Sequence, residues 1–283
     1  MDYRARYGEW ALILGGSEGL GRAIAFELAA RGMNVALAAR REAPLRAAAD
    51  AIAERHGVKT KILTIDLASG DPVGQIKQGM GGDDPAFIVY NAAAEPYGDF
   101  LELGMDEHLF NIAVNIVAPT RIVHHFGQKM IAAGRGGIVL CASLASAQGL
   151  YKWVGYGAAK AYDHILGEGL WYELGLHGVD ACALMIGTTW TESFQRTQKK
   201  LGGVFAAGRE PPGLPAVFAL PQLPEDAAAN LFAQIDREWL PLIFANPADE
   251  ARSKMIAGVP RQDLIRGAAQ FQIDWYSGSP PSA

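Results

Sequence analysis

The chain has 283 residues, with 25 lysines and arginines against 30 aspartates and glutamates, for a formal charge of −5. Half of the residues are hydrophobic and 19% are charged, the balance of a folded chain with a sizeable core rather than a disordered one. The acidic balance offers no basic field to a phosphodiester backbone, so nucleic acid is excluded as an expected partner. No apolar run nears bilayer length, and Asp2, Arg4, Arg6 and Glu9 interrupt the first residues where an export signal would be apolar. The expectation is a cytoplasmic protein without membrane contact.

Continuous apolar runs of strand length recur at residues 10–14, 35–39, 61–65, 87–90, 138–141 and 181–186, with 241–245 a candidate last strand. Unbroken rather than alternating hydrophobicity predicts strands buried on both faces, and segments of helical length between them predict a parallel sheet covered on each side. Those helices are expected at 22–31, closed by Gly32, at 44–56, closed by Gly57, and at 106–133, closed by Gly134, with others at 157–176 and 225–239. Glycine and proline crowd residues 202–224, which reads as a long loop. Beyond residue 245 no pattern is interpretable, and the Pro-rich tail from 277 to 283 is expected to fray. Cys141 and Cys182 lie inside strand-like runs and are expected as buried free thiols, as suits a reducing compartment.

Directly after the first strand comes Gly15-Gly16-Ser17-Glu18-Gly19-Leu20-Gly21. At a strand-to-helix turn such glycines let backbone N–H groups close on a pyrophosphate, while the helix N-terminus favours its negative charge. A tight turn alone would also explain them; the position after the first buried strand favours the dinucleotide reading.

Tyr156 and Lys160 stand four residues apart on a predicted helix and so share one face. A phenol titrates near pH ~10, and a neighbouring ammonium is expected to draw it down toward the working range for proton transfer. Ser143 follows the strand at 138–141 and precedes Tyr156 by 13 residues, which puts a hydroxyl at the carboxyl end of a strand, where open α/β sheets hold ligands. His124 and His125 are adjacent on a predicted helix and diverge, with no Cys or acid at ligand spacing, so no metal site is expected.

In order and spacing, the glycine turn, Asn91-Ala92-Ala93, Asn115, Ser143 and the Tyr156/Lys160 pair resemble the short-chain dehydrogenase/reductase family over roughly residues 8–195. The resemblance implies a single Rossmann-type domain over 1–283, a doubly wound parallel sheet of about seven strands. It also implies a nicotinamide-dependent oxidoreductase in which Tyr156 is the acid/base, Ser143 holds the substrate oxygen, Asn115 assists a proton relay and Lys160 also binds the nicotinamide ribose. Gly15, Ser17, Glu18, Gly19, Leu20, Gly21, Asn91, Ala92 and Ala93 would line the cofactor path, with Asp66 and Leu67 at the adenine, Gly187 and Thr189 at the carboxamide and Thr191 near the phosphates. Asp66 serves equally as a turn cap. Departures from the family pattern are Leu14 for Thr, Tyr90 and Ala93 for the outer Asn and Gly of Asn-Asn-Ala-Gly, and Ile186 for Pro. Long helices at 106–133 and 157–176 resemble those that pair subunits in this family, implying a homodimer or homotetramer.

At the end of the second strand the sequence reads Ala38-Ala39-Arg40-Arg41. An acid there would bind a ribose 2′-hydroxyl and an arginine a 2′-phosphate, so NADP(H) is expected over NAD(H), with Arg40 and Arg41 as contacts and Glu18 a mild counter-signal. Leu150, Trp153, Trp190 and Phe194 flank the expected centre, either as the wall of an apolar pocket for a bulky ketone or alcohol or as core packing. Residues 202–224 would be either a lid over that pocket or a plain connection. Two readings stand beside the oxidoreductase: a non-catalytic NADP(H) sensor, and an epimerase or dehydratase on the same fold.

Overall fold

Alternation along each strand decides the layering. In the computed structural model, which describes residues 2–203 and 221–277, a first short helix α1 (Tyr3–Arg6) leads into β1 (Trp10–Leu14), buried along its whole length. Ala11 and Ile13 join one apolar cluster and Leu12 and Leu14 another, because successive side chains of a strand point to opposite faces. The same split recurs along β2 (Asn34–Ala39), β4 (Phe87–Tyr90) and β5 (Gly136–Cys141). Each face therefore needs its own cover of helices.

α2 (Gly19–Ala30), α3 (Glu42–His56) and α9 (Pro224–Ile235) cover the first face through Ile24, Leu28, Leu45, Ile52, Leu231 and Phe232. α4 (Pro72–Met80), α6 (Ala118–Ala133) and α7 (Val154–Gly175) cover the second through Ile76, Met80, Ile122, Phe126, Met130 and Leu174. With β3 (Thr60–Thr64), β6 (Val179–Met185) and β7 (Leu242–Phe244), the sheet has seven parallel strands in the order β3-β2-β1-β4-β5-β6-β7. The chain moves outward from β1 to β3 and then restarts beside β1 with β4, opening a crevice at the carboxyl ends of β1 and β4, where such sheets take ligands.

The expected strands are all present, and Gly57 and Gly134 end their helices in the left-handed conformation. Three features differ from the sequence reading. The helix expected at 106–133 begins as α5 (Met105–Ile112) and passes through a π-helical segment, Ala113–Val117, before α6. α4 and α8 (Glu192–Leu201) are short polar-faced helices that the apolar spacing did not disclose. Beyond residue 245 the chain forms the charged helix α10 (Pro247–Ile256) and α11 (Arg261–Ser277), whose C-terminal half carries Phe271, Trp275 and Tyr276. Of the stretches expected as lid and frayed tail, residues 204–220 and 278–283 lie outside the described residues.

Two contacts fix α2, one at the sheet and one on α9. A Cβ at Gly21 would collide with the carbonyl group of Gly15 and stand 2.9 Å from Asn91 Nδ2. At the far end, Arg31 donates to Asp236 at 2.8 Å and its guanidinium lies 4.3 Å from the Phe232 ring centre, while Tyr3 donates to the other Asp236 oxygen at 2.7 Å. Burial would raise the Asp236 carboxyl, but the hydrogen bonds from Arg31 and Tyr3 outweigh it and hold the group below its usual range.

A carboxyl depressed by folding adds stability above its unfolded pKa and loses it as pH falls through the folded value. Asp236→Asn should therefore cost about 1 kcal/mol at neutral pH, discounted for a pair that water reaches. That difference should vanish as chemical denaturation is repeated at pH values falling below the ordinary carboxylate pKa. Gly21→Ala should lower the unfolding free energy by about 1–3 kcal/mol, the usual cost of forcing atoms into a filled site; an unchanged denaturation midpoint would show slack in the turn.

Candidate functional site

The α2 N-terminus opens into a cleft of about 790 Å3 that runs along the carboxyl ends of the sheet. Gly15, Ser17, Glu18, Gly19 and Leu20 form one wall, whereas Gly21 lies behind it as the helix-to-strand contact. Glu18 is the N-cap residue yet makes no side-chain cap bond, so its side chain leaves the first N–H groups of α2 uncovered. An anion fits such a terminus. Opposite it, Thr191 caps α8 by accepting from Phe194 N at 3.0 Å, and a Cβ on Gly19 would meet the Thr191 methyl at 2.8 Å. The turn thus fits a pyrophosphate held between the start of α2 and the residues after β6.

Ser143, Tyr156 and Lys160 line the middle of the same cleft. Ser143 stands just past β5 and starts the turn Leu144–Ser146, accepting from Ala145 N at 3.1 Å. Ser143 and Tyr156 line the same stretch of the cleft, and the Ser143 hydroxyl favours the Tyr156 phenolate. One turn further along α7, Lys160 reaches back under the strand end and donates to the Cys141 carbonyl at 2.7 Å and to Asp163 at 3.0 Å. α7 sits close enough to β6 for this because Gly167 faces Ala183, whose backbone N would lie 2.7 Å from a Cβ there.

Asn115 is buried behind the cleft in the π-helical segment. Its side chain accepts from Ala94 N at 2.9 Å, donates to Ala94 O at 2.7 Å and donates to Asn111 at 2.6 Å, fixing the loop after β4. Tyr90, at the position where Asn was expected, donates its hydroxyl to the Val114 carbonyl in the same segment. The extra residue of a π turn exposes such carbonyls to side chains.

The electrostatics correct one expectation. Tyr156 is pushed up to about 12, because burial among protein atoms and the Glu95 carboxylate outweigh the lowering by Lys160 and Ser143. Lys160 itself remains a full ammonium: burial disfavours the charge, but Asp163 and the Tyr156 phenol outweigh that and hold it above its ordinary range. Glu95 and Asp163 were not singled out from the sequence: Glu95 follows the clamped Ala94 and lines the cleft, exposed to its solvent, where the surrounding protein atoms raise its carboxyl and Lys160 lowers it. No hydrophobic or motif spacing marks either residue.

Toward the far end, Arg40, Arg41, Asp66 and Leu67 line the cleft. Glu18 accepts from Arg41 at 2.7 Å and also pairs with Arg196, and the hydrogen bond from Arg196 leads the causes that hold its carboxyl below the usual range. Arg40 lies over the Phe110 ring, 5.8 Å from its centre. Asp66 accepts from Ala68 N at 3.0 Å, so it caps a turn as well as facing the cleft. Asn91, Ala92, Ala93, Gly187 and Thr189 complete the walls. Gly187 has no room for a side chain, since a Cβ would stand 3.1 Å from Asp249 Cγ.

On the remaining side, Leu150, Trp153 and Phe194 line the cleft, but Trp190 does not. Residues 189 and 222 pair as a parallel bridge, and strand-like alternation points Thr189 and Thr191 inward and Trp190 away; its ring packs on Phe194 at 5.7 Å. The missing wall comes from α11, whose Phe271, Trp275 and Tyr276 face the cleft. The Tyr276 ring lies tilted against that of Trp153, centres 5.6 Å apart, and its hydroxyl accepts from Gln198 at 3.0 Å. Among the described residues no group of three His, Cys, Asp or Glu is placed to hold a metal, and no helix is long and apolar enough to cross a membrane. Cys141 and Cys182 are free and buried.

The short chain dehydrogenase family model matches residues 9–202. Over 275 residues the chain is 32% identical to a 7beta-hydroxysteroid dehydrogenase of Collinsella aerofaciens, covering 97% of this chain and all of that one. A solved structure from work on 7beta-hydroxysteroid dehydrogenase stereoselectivity superposes with a TM-score of 0.82 at 28% identity, covering 95% of this chain and 99% of the other. A short-chain dehydrogenase from Sphingobium yanoikuyae in complex with NADPH gives a TM-score of 0.74 at 25% identity, with 91% and 95% covered. The chain is a member of the short-chain dehydrogenase/reductase family, an NAD(P)-dependent oxidoreductase that acts on hydroxyl and carbonyl groups of a small molecule.

Proposed function

We propose that this enzyme interconverts a ring ketone and its secondary alcohol, of the hydroxysteroid class, with NADP(H) as the favoured cofactor. The observation that carries the reading is the meeting of Ser143, Tyr156 and Lys160 in a cleft walled by Trp153, Phe271, Trp275 and Tyr276. Flat aromatic faces suit a rigid polycyclic body at little entropic cost, while a few polar groups fix one oxygen. The likeness to 7beta-hydroxysteroid dehydrogenases along nearly the whole chain supports the same substrate class.

When bound, the nicotinamide supplies one hydride, given to the carbonyl carbon or taken from the carbinol carbon. The residues of this chain do the rest. Ser143 donates a hydrogen bond to the substrate oxygen, Tyr156 passes its proton to that oxygen in reduction or receives one in oxidation, and Lys160 stabilises the phenolate left behind. Asn115 holds the Ala94 to Glu95 loop at the edge of this group. The start of α2, Asn91, Gly187, Thr189 and Thr191 would hold the cofactor.

Arg40 and Arg41 support the NADP(H) preference. Arg41 is largely exposed and needs only to turn from Glu18 to meet a 2′-phosphate, and Arg196 on the other side of Glu18 keeps that carboxylate's charge compensated. Leu109, Ile112, Ile165 and Tyr172 on the outer faces of α5 and α7 are exposed apolar residues, which supports assembly as a homodimer or homotetramer. Free buried thiols support a reducing, cytoplasmic setting.

Steady-state oxidation of a 7beta-hydroxysteroid with each cofactor tests the reading. Turnover is expected with NADP+ at an efficiency at least about tenfold above NAD+, and Arg41→Ala should erase most of that margin, about tenfold for a lost charged hydrogen bond. A preference for NAD+, or no turnover of any hydroxysteroid in a panel of secondary alcohols, would reject the corresponding part. Tyr156→Phe should cut kcat by at least about a hundredfold while leaving cofactor affinity within a few-fold. Retained turnover in that variant would remove Tyr156 from the acid/base role.

A further inference from the structure

Asp163 has a single use. It lies one turn beyond Lys160 on α7, fully enclosed, with one carboxylate oxygen on the Lys160 ammonium at 3.0 Å and the other without any hydrogen-bond partner. A buried carboxylate half satisfied in this way is costly unless the cation beside it needs it. Lys160 needs it: its side chain is only 3% exposed, and one ammonium proton goes to the Cys141 carbonyl and one to Asp163. The third is left for the cleft, on the side of Tyr156.

The titratable and charged groups facing this pair are few. Tyr90 on β4 and Cys141 at the end of β5 are both raised by burial and stay neutral through the working range. Glu95, on the loop after β4, and Tyr156, on α7, face Lys160 from the cleft. Two carboxylates thus oppose one ammonium, and only Asp163 is sealed from solvent and salt.

We propose that Asp163 is a positioning residue for the reaction. It holds Lys160 from behind and divides the ammonium's charge between itself and the Tyr156 phenol, which fits the site to give a proton to a ketone more readily than to take one from an alcohol. The proposal rests on Tyr156 as the acid/base. Without Asp163 the whole charge of Lys160 falls on the phenol, and alcohol oxidation begins at lower pH.

The experiment is the pH profile of kcat/KM for alcohol oxidation, on the best alcohol from the substrate panel, in the wild type and in Asp163→Asn, Asp163→Ser and Asp163→Glu. In Asp163→Asn the acidic limb should lie about one pH unit below that of the wild type. Asp163→Glu should restore it. The shift should persist at high salt, because a buried charge is little screened, whereas any contribution from Glu95 should fade. A limb that does not move in Asp163→Asn, or that moves as far in Asp163→Glu, overturns the proposal. Should Asp163→Asn not fold, Asp163→Ser is read by the same criterion, and loss of folding in both neutral variants overturns the proposal by assigning the carboxylate to the fold alone. Turnover in Tyr156→Phe would fail the underlying reading; an inert Tyr156→Phe with an unmoved Asp163→Asn limb would fail this inference only.

Discussion

A buried ammonium organises the centre of this enzyme. Lys160 enters the protein where β5 ends, and its charge is tolerated because a strand-end carbonyl and a carboxylate one turn along the same helix meet it. That requirement ties α7 to β5 in one register. Tyr156, one turn back on the helix, is thereby brought into the cleft that Ser143 lines at the strand's end. The grouping of the three side chains follows from satisfying one cation.

The remaining placements are matters of close approach. The parallel sheet buries both faces, so every loop with chemistry must leave from a strand end. Gly167 lets α7 settle on β6, Gly21 lets α2 settle beside Gly15, and Gly187 admits Asp249. Each contact is backbone or carboxylate against a position where any side chain would collide, which is why the cleft has a defined width between the α2 terminus and the end of β6.

The two ends of the cleft differ in kind. At the nucleotide end, Arg41, Glu18 and Arg196 form an exposed ion network, adaptable and of modest energy. At the other end, the ring of Trp153, just before α7, lies 5.6 Å from that of Tyr276 on α11, which is joined to α8 through Gln198. One end is defined by charge and the other by aromatic shape, and α11, far along the chain, supplies most of that shape.

Strand runs, the glycine turn and the Tyr156, Lys160 and Ser143 spacing were legible in the sequence because each depends on local periodicity or on residues adjacent in the chain. They determined the sheet, the cleft's location and the central trio. Tertiary structure alone decided the charge balance at Tyr156, since Glu95 and Asp163 carry no periodic mark and matter only through enclosure beside Lys160. It also decided that Trp190 turns outward while Trp275 and Tyr276 turn in, because a bridge between residues 189 and 222 and the docking of α11 join segments that no local rule relates. Local order is written in spacing, whereas the strength of a charge and the wall of a pocket depend on what the rest of the chain brings next to them.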